Sequence, residues 1–248
     1  MTIFKQLTEI SKKRGAAYIV LIDPDTRDEQ GLINFVEKLN DADVDAIFIG
    51  GSLLVDGEFH KCINLVKEHT DLPVIIFPGS VQQISPKADA ILFLSIISGR
   101  NPQYLFGDHV IAAPGVYKSG IEPISTGYML FDSGRMTTAE FISNTKPLPP
   151  HKPEIAMAHA LAAQYMGMST VYLEAGSGAD NPVPDEVVKA VTNFVDIPVI
   201  VGGGITTPEV AAAKVKAGAS FIVTGNILDK FDDPDIIKKF SKAIHWKE

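Results

Sequence analysis

The stretch PVIVGGGITTPEV, residues 198–210, runs from β-branched apolar residues into three glycines and then opens on Thr206, Thr207 and Pro208. FIVTGNIL, residues 221–228, repeats the pattern, again stopping an apolar run at a glycine. A short, continuously apolar run reads as a strand covered on both faces. A proline just inside the polar–apolar pattern that follows marks a helix start, where its missing N–H has no partner to lose. The same unit recurs along the chain. Strands are expected at 17–23 (AYIVLID), 45–51 (DAIFIGG), 73–79 (PVIIFPG) and 90–96 (AILFLSI), then at 127–132 (GYMLFD), 170–176 (TVYLEAG), 198–204 and 220–226. Amphipathic stretches separate most of them, three with Pro184, Pro208 or Pro234 in the expected first turn. Eight such strands with intervening helices predict an α/β fold, a TIM (βα)8-type barrel spanning residues 1–248 as one domain.

Two places depart from that rhythm. Only SVQQISPKAD (80–89) separates the third and fourth strands, too short for a covering helix, so the third βα unit is irregular and shortened. A long segment with Gly99, Pro102, Gly107, Pro114 and Gly120 then follows strand four, and the wall is expected to be thin there. IEPISTG (121–127) and TKPLPPHKP (145–153) read as loops within the domain. EIAMAHALAAQYMGM (154–168) carries alanine and methionine on nearly every face, which suits either close packing on the barrel or a subunit interface.

Composition bounds the function. The 248 residues are 46% hydrophobic with a net charge of −8, enough for a large core and opposed to a general nucleic-acid surface. One cysteine, Cys62, rules out an internal disulfide framework, and the amino-terminal stretch lacks an apolar signal core. A cytoplasmic protein is expected. No G-x-x-x-x-G-K-S/T motif occurs, which excludes a P-loop nucleotidase. FDDPD (231–235) reads as a helix start rather than a metal motif, and His60, His69, His109, His151, His159 and His245 show no metal-ligand spacing.

In a barrel the loops after the strands build the site, and phosphate commonly binds after strands seven and eight. The corners at 202–204 and 224–226 fall there, and glycine lets backbone N–H groups approach phosphate oxygens. Thr206 or Thr207 is placed to cap the next helix, and Asn226 to offer its amide. In strand six Tyr172 and Glu174 share one face. A glutamate inside an apolar strand needs a partner or a function. Asp23 ends strand one and Ser52 follows strand two, a carboxylate and a hydroxyl suited to Mg²⁺ completed by waters and substrate phosphates.

LIDPD, IGGS, YLEAGSGA, VGGGI and TGN, in this order and spacing, closely resemble the geranylgeranylglyceryl phosphate synthases and their bacterial relatives, over about residues 15–230. The resemblance implies a TIM barrel with an irregular third unit, and Mg²⁺-dependent transfer of a prenyl group from a prenyl diphosphate to the 3-hydroxyl of glycerol 1-phosphate. It assigns the metal to Asp23 and Ser52. Glycerol phosphate would lie on Tyr172, Leu173, Glu174, Ala175, Gly176, Ser177 and Gly178, with Gly203, Gly204, Gly225 and Asn226. Glu174 would act as the base beside Tyr172, and the tail would run past Tyr104 and Tyr128, with Tyr104 limiting its length. Leu21 stands where some members carry a phosphate-contacting lysine. A homo-oligomer and transient contact with a membrane surface are also expected. Two other readings compete: a sugar-phosphate isomerase or cyclase using Asp23 and Asp132, and a noncatalytic binder of phospholipid precursors.

Overall fold

The apolar strands are buried on both faces because they close on themselves. In a computed structural model, which describes residues 1–55, 58–225, 228, 233 and 235–247, eight parallel strands form a closed barrel in chain order. They are β1 (Ala17–Ile22), β2 (Ala46–Ile49), β3 (Val74–Ile76), β4 (Ala90–Ile96), β5 (Glu122–Leu130), β6 (Thr170–Glu174), β7 (Val199–Gly202) and β8 (Phe221–Thr224). Alternation along each strand sorts the side chains into two cores. Ile19, Phe48, Leu92, Tyr128, Tyr172 and Val223 fill the barrel, whereas Val20, Ile47, Ile91, Val171 and Ile222 pack outward against the helices.

Those helices are α1 (Ile3–Arg14), α2 (Glu29–Asn40), α3 (Phe59–His69), α4 (Asp108–Ser119), α5 (Thr138–Ser143), α6 (Pro153–Tyr165), α7 (Asp185–Thr192), α8 (Pro208–Lys216) and α9 (Ile236–Ile244). Thr207, not Thr206, caps α8, its hydroxyl accepting the Val210 N–H at 3.3 Å. α6 seats Ala156, Ala160 and Ala163 inward, the close packing that small residues permit, and leaves Tyr165 and Met166 exposed. Pro234 lies outside the described residues; beside it, Asp233 pairs with Lys239 and Asp235 with Lys238, so these carboxylates serve α9. None of the described helices is long and apolar enough to cross a membrane.

The third unit is shortened as expected: residues 77–89 join β3 to β4 without a helix. The segment after β4 is more regular than its prolines and glycines suggest. It forms a π-helical turn, Gln103–Gly107, running directly into α4 with Pro114 inside. IEPISTG is likewise not a loop but the first part of β5, paired along its length with β4. Tertiary pairing overrides the local turn signal there, because Ile124 and Tyr128 fill the barrel interior.

The amino-terminal helix α1 closes the floor. Phe4 packs edge-on against Phe221 at 6.0 Å, and the Glu122 carboxylate accepts the Ile3 N–H at 2.6 Å and the Phe4 N–H at 3.3 Å. Nearby, buried Asp45 accepts the Tyr18 N–H at 2.7 Å, Arg14 Nη1 at 3.0 Å and His245 Nε2 at 2.8 Å. These bonds tie the carboxyl-terminal end to the α1–β1 corner.

Candidate functional site

Strand alternation carries Tyr172 and Glu174 from the barrel axis up to its mouth. Glu174 Oε1 accepts the Gly176 N–H at 2.6 Å, and the Tyr172 hydroxyl bonds the same carboxylate. Burial pushes Glu174 up to about 7, against the pull of those two hydrogen bonds. The Tyr172 hydroxyl is itself held well above the usual tyrosine range by burial and then by the Glu174 charge. The glycines around the pair have two uses. A Cβ on Gly202 would strike the Tyr172 hydroxyl, and one on Gly203 would strike Glu174 Oε1 and approach the Gly176 nitrogen to 2.6 Å. Gly203 and Gly204 also hold φ of 77° and 67°, a conformation that other residues rarely adopt. Tight packing and an open backbone are therefore the same feature.

Glu174, Gly176, Ser177, Gly178, Gly203, Gly204 and Gly225 all line one cavity of about 770 Å³, together with Tyr172. That volume suits a small-molecule site. Leu173 and Ala175 do not reach it: their side chains face the helix layer, and the Ala175 N–H is taken by the Gly202 carbonyl at 3.1 Å. Asn226 lies outside the described residues. Leu21 lines the cavity facing Gly225, so no cation stands at that position.

Asp23 and Ser52 both line this cavity. Asp23 is half-buried, and burial raises its carboxyl despite the bond it accepts from the Asp25 N–H at 3.1 Å. Asp25 accepts the Val55 N–H on one oxygen, and its Oδ1 is buried without a partner. Asp25 does not line the cavity, so the carboxylate that faces it at this corner is Asp23. Among the described residues no group of three or more His, Cys, Asp or Glu side chains could hold a metal. Asp23 and Ser52, a carboxylate and a hydroxyl lining one cavity, are the residues that could hold an ion such as Mg²⁺, which takes one or two protein oxygens and completes its shell with water and phosphate.

Away from the glycines the cavity turns apolar. Phe77 stacks on Tyr172 with ring centres 5.4 Å apart and contacts Tyr128 at 5.9 Å. Beyond them Phe93, Leu94, Tyr104, Ala112 and Ile142 form a groove through the wall that the missing third helix leaves uncovered. Two polar residues here escaped sequence reasoning. His109 stands edge-on to Phe93 at 4.7 Å with its Nδ1 buried and unpartnered, and burial lowers its ring. Arg135 bonds the Gly178 carbonyl and pairs with Asp180 at 3.8 Å. Both lie in segments without a period. Asp132, by contrast, is exposed, does not line the cavity, and accepts the Gly134 N–H at 3.0 Å within its own turn.

Residues 8–244 match the PcrB family. A geranylgeranylglyceryl phosphate synthase from Chitinophaga pinensis is 44% identical over 243 residues, covering 98% of this chain and 96% of that one. The enzyme of the same name from Thermococcus kodakarensis is 45% identical over 219 residues, 88% of this chain and 86% of that one. The crystal structure of (S)-3-O-geranylgeranylglyceryl phosphate synthase from Thermoplasma acidophilum, in complex with sn-glycerol-1-phosphate, superposes with a TM-score of 0.93 at 38% identity, covering 99% of each chain. A thiamine phosphate pyrophosphorylase from Pyrococcus furiosus, 13% identical over 95% of this chain and 98% of its own with a TM-score of 0.62, shares the barrel alone. Matched along nearly its whole length, the chain belongs to the PcrB family, with the geranylgeranylglyceryl phosphate synthases.

Proposed function

We propose that the protein is a prenyltransferase that joins the geranylgeranyl group of its diphosphate to the 3-hydroxyl of sn-glycerol 1-phosphate. The products are geranylgeranylglyceryl phosphate and diphosphate, a step of ether-lipid synthesis. One observation carries the reading. A single cavity joins a glycine-lined end holding a buried carboxylate to an apolar groove. The Thermoplasma acidophilum relative, crystallised with sn-glycerol-1-phosphate, supports the acceptor.

On this reading the backbone around Gly176–Gly178, Gly203, Gly204 and Gly225 receives the phosphate, and Glu174 faces the glycerol 3-hydroxyl. As the allylic carbon–oxygen bond breaks and the new ether bond forms, Glu174 Oε takes the hydroxyl proton. Tyr172 and Gly176 hold that carboxylate in place, fixing the reacting geometry. Asp23 and Ser52 would hold Mg²⁺, which when bound neutralises charge building on the departing diphosphate. The apolar groove takes the tail and keeps water from the developing allylic cation.

Mass spectrometry of the protein with Mg²⁺, geranylgeranyl diphosphate and either glycerol 1-phosphate or glycerol 3-phosphate tests the assignment. A prenyl ether is expected with the 1-phosphate alone. Absence of ether in both mixtures, and with shorter and longer donors, would overturn it. The isomerase alternative needs Asp23 and Asp132 across one site, and Asp132 stands outside the cavity.

A further inference from the structure

The cavity carries more acid than base. Asp23, Asp108, Glu174 and Asp180 line it, and Arg135 is the only lysine or arginine among its described lining residues. β1 adds no cation, since Leu21 stands against Gly225. Backbone N–H groups at the glycine corners carry only partial charge. On a chain of net charge −8 they hold a phosphate against a field of the same sign as its own. A single fixed cation at this mouth therefore weighs more than it would on a neutral surface.

Loop packing sets where that cation stands. Residues 133–137, between β5 and α5, lie on the loop that follows β6. Thr137 caps α5 by accepting the Glu140 N–H at 3.3 Å, and its side chain fills the space that a Cβ on Gly176 would need. Asn181 Nδ2 donates to the Ser133 carbonyl at 3.3 Å. The loop after β6 leans in turn on the corner after β7, where a Cβ on Gly204 would meet the Pro182 nitrogen at 2.7 Å. Arg135, Gly178 and Gly204 thus belong to one packed seam at the glycine-lined end. β5 and β6 stand across the ring from β1 and β2, which carry Asp23 and Ser52. The bonds that Arg135 makes leave it capacity. Nη2 donates to the Gly178 carbonyl, and Nη1 has no partner among the described residues. Nε stands 3.8 Å from the Asp180 carboxylate, and with both side chains more than half exposed that ion pair is weak.

We propose that Arg135 binds the phosphate of glycerol 1-phosphate, closing the glycine-lined cup from the β5 side and exchanging Asp180 for the substrate. The proposal rests on the prenyltransferase reading. The glycine corners supply shape and N–H groups, and Arg135 supplies the charge they lack. A planar guanidinium offers paired donors that match phosphate oxygens. Asp180 competes with the substrate for those donors, so the cation is kept at the mouth without being spent.

Calorimetry of glycerol 1-phosphate binding to the full chain, beside KM for each substrate, tests this directly. Arg135→Gln should weaken that binding by about tenfold or more, the loss of hydrogen bonds to a charged group. KM for glycerol 1-phosphate should rise in step, while KM for geranylgeranyl diphosphate stays within about twofold, because the donor's charge lies with the metal at Asp23 and Ser52. Arg135→Lys keeps the charge without the fork and should recover part of the loss. Asp180→Asn separates a ligand from a strap. Freeing the guanidinium should tighten glycerol 1-phosphate by about two- to fivefold, the weight of an exposed ion pair. A merely structural Arg135–Asp180 link would loosen it instead. Unchanged affinity in Arg135→Gln would overturn the proposal, as would weaker binding in Asp180→Asn. A rise in KM for the diphosphate donor alone would put the guanidinium on the leaving group and overturn it equally. Absence of both binding and ether formation in the unaltered protein would strike the assigned reaction instead, so the two failures are distinguishable.

Discussion

Glu174 concentrates the chemistry in one side chain. Burial lifts its proton affinity until it titrates at about 7, where a base both accepts a proton readily and is free to do so. The sign of the pH dependence follows. The carboxylate is the working form, so kcat/KM should climb as pH rises through about 7 and level off above it. Tyr172→Phe removes a hydrogen bond that favours the carboxylate, so the acid limb should move to higher pH. Glu174→Gln keeps the shape but not the basicity. Turnover should fall by about 10²-fold or more, while calorimetry still detects glycerol 1-phosphate binding. Retained turnover in that variant would remove the base from the mechanism. This residue was legible in the sequence because a charged side chain in an apolar strand demands a reason. His109 and Arg135 were not, because nothing periodic surrounds them. Nor was the fit of Gly202 around the Tyr172 hydroxyl, which depends on two strands meeting.

Among the elements, the gap in the helical ring matters most. Its existence was readable from the ten residues between PVIIFPG and AILFLSI, too few for a crossover helix. What fills the neighbouring space was not. Pro114, Gly107 and Gly115 disguise α4, a helix whose residues have poor helix propensity and which buries only Val116. IEPISTG misled in the same way, since Pro123 stands within β5 although proline donates no ladder hydrogen bond. Tyr104 belongs to this scale because the π-helical turn aims it into the groove, its hydroxyl 3.5 Å from the Ile142 carbonyl. If its ring sets the groove's length, Tyr104→Ala should shift donor preference from C20 toward longer prenyl diphosphates, read as relative kcat/KM in competition. An unchanged preference would move the limit to other lining residues, such as Ala112 or Ile84.

At the scale of the molecule, the barrel separates what reacts from what holds it together. The mouth carries glycines in the left-handed region and a buried carboxylate, while the opposite end carries α1, the Glu122 cap and the Asp45 network. The order of eight strands was legible because each reads locally. The latch was not, since Asp45 and His245 stand 200 residues apart and nothing near either names the other. Asp45 holds a backbone N–H, a guanidinium and an imidazole at once, with only 5% of its side chain exposed. Removing Asp45 leaves the buried Tyr18 N–H without its acceptor, while Arg14 and His245 keep Asp43 as a partner, a loss of about 1–3 kcal/mol. Asp45→Ala should therefore lower the denaturation midpoint markedly. It should leave kcat per folded molecule unchanged, because Asp45 sits before β2 at the end away from the cavity. Denaturant titration monitored at Trp246, which packs on Gly15 beside the network, reads both the midpoint and the local environment. Loss of turnover in the folded variant would mean that the floor of the barrel helps to shape its mouth, and the division of labour between the two ends would fall.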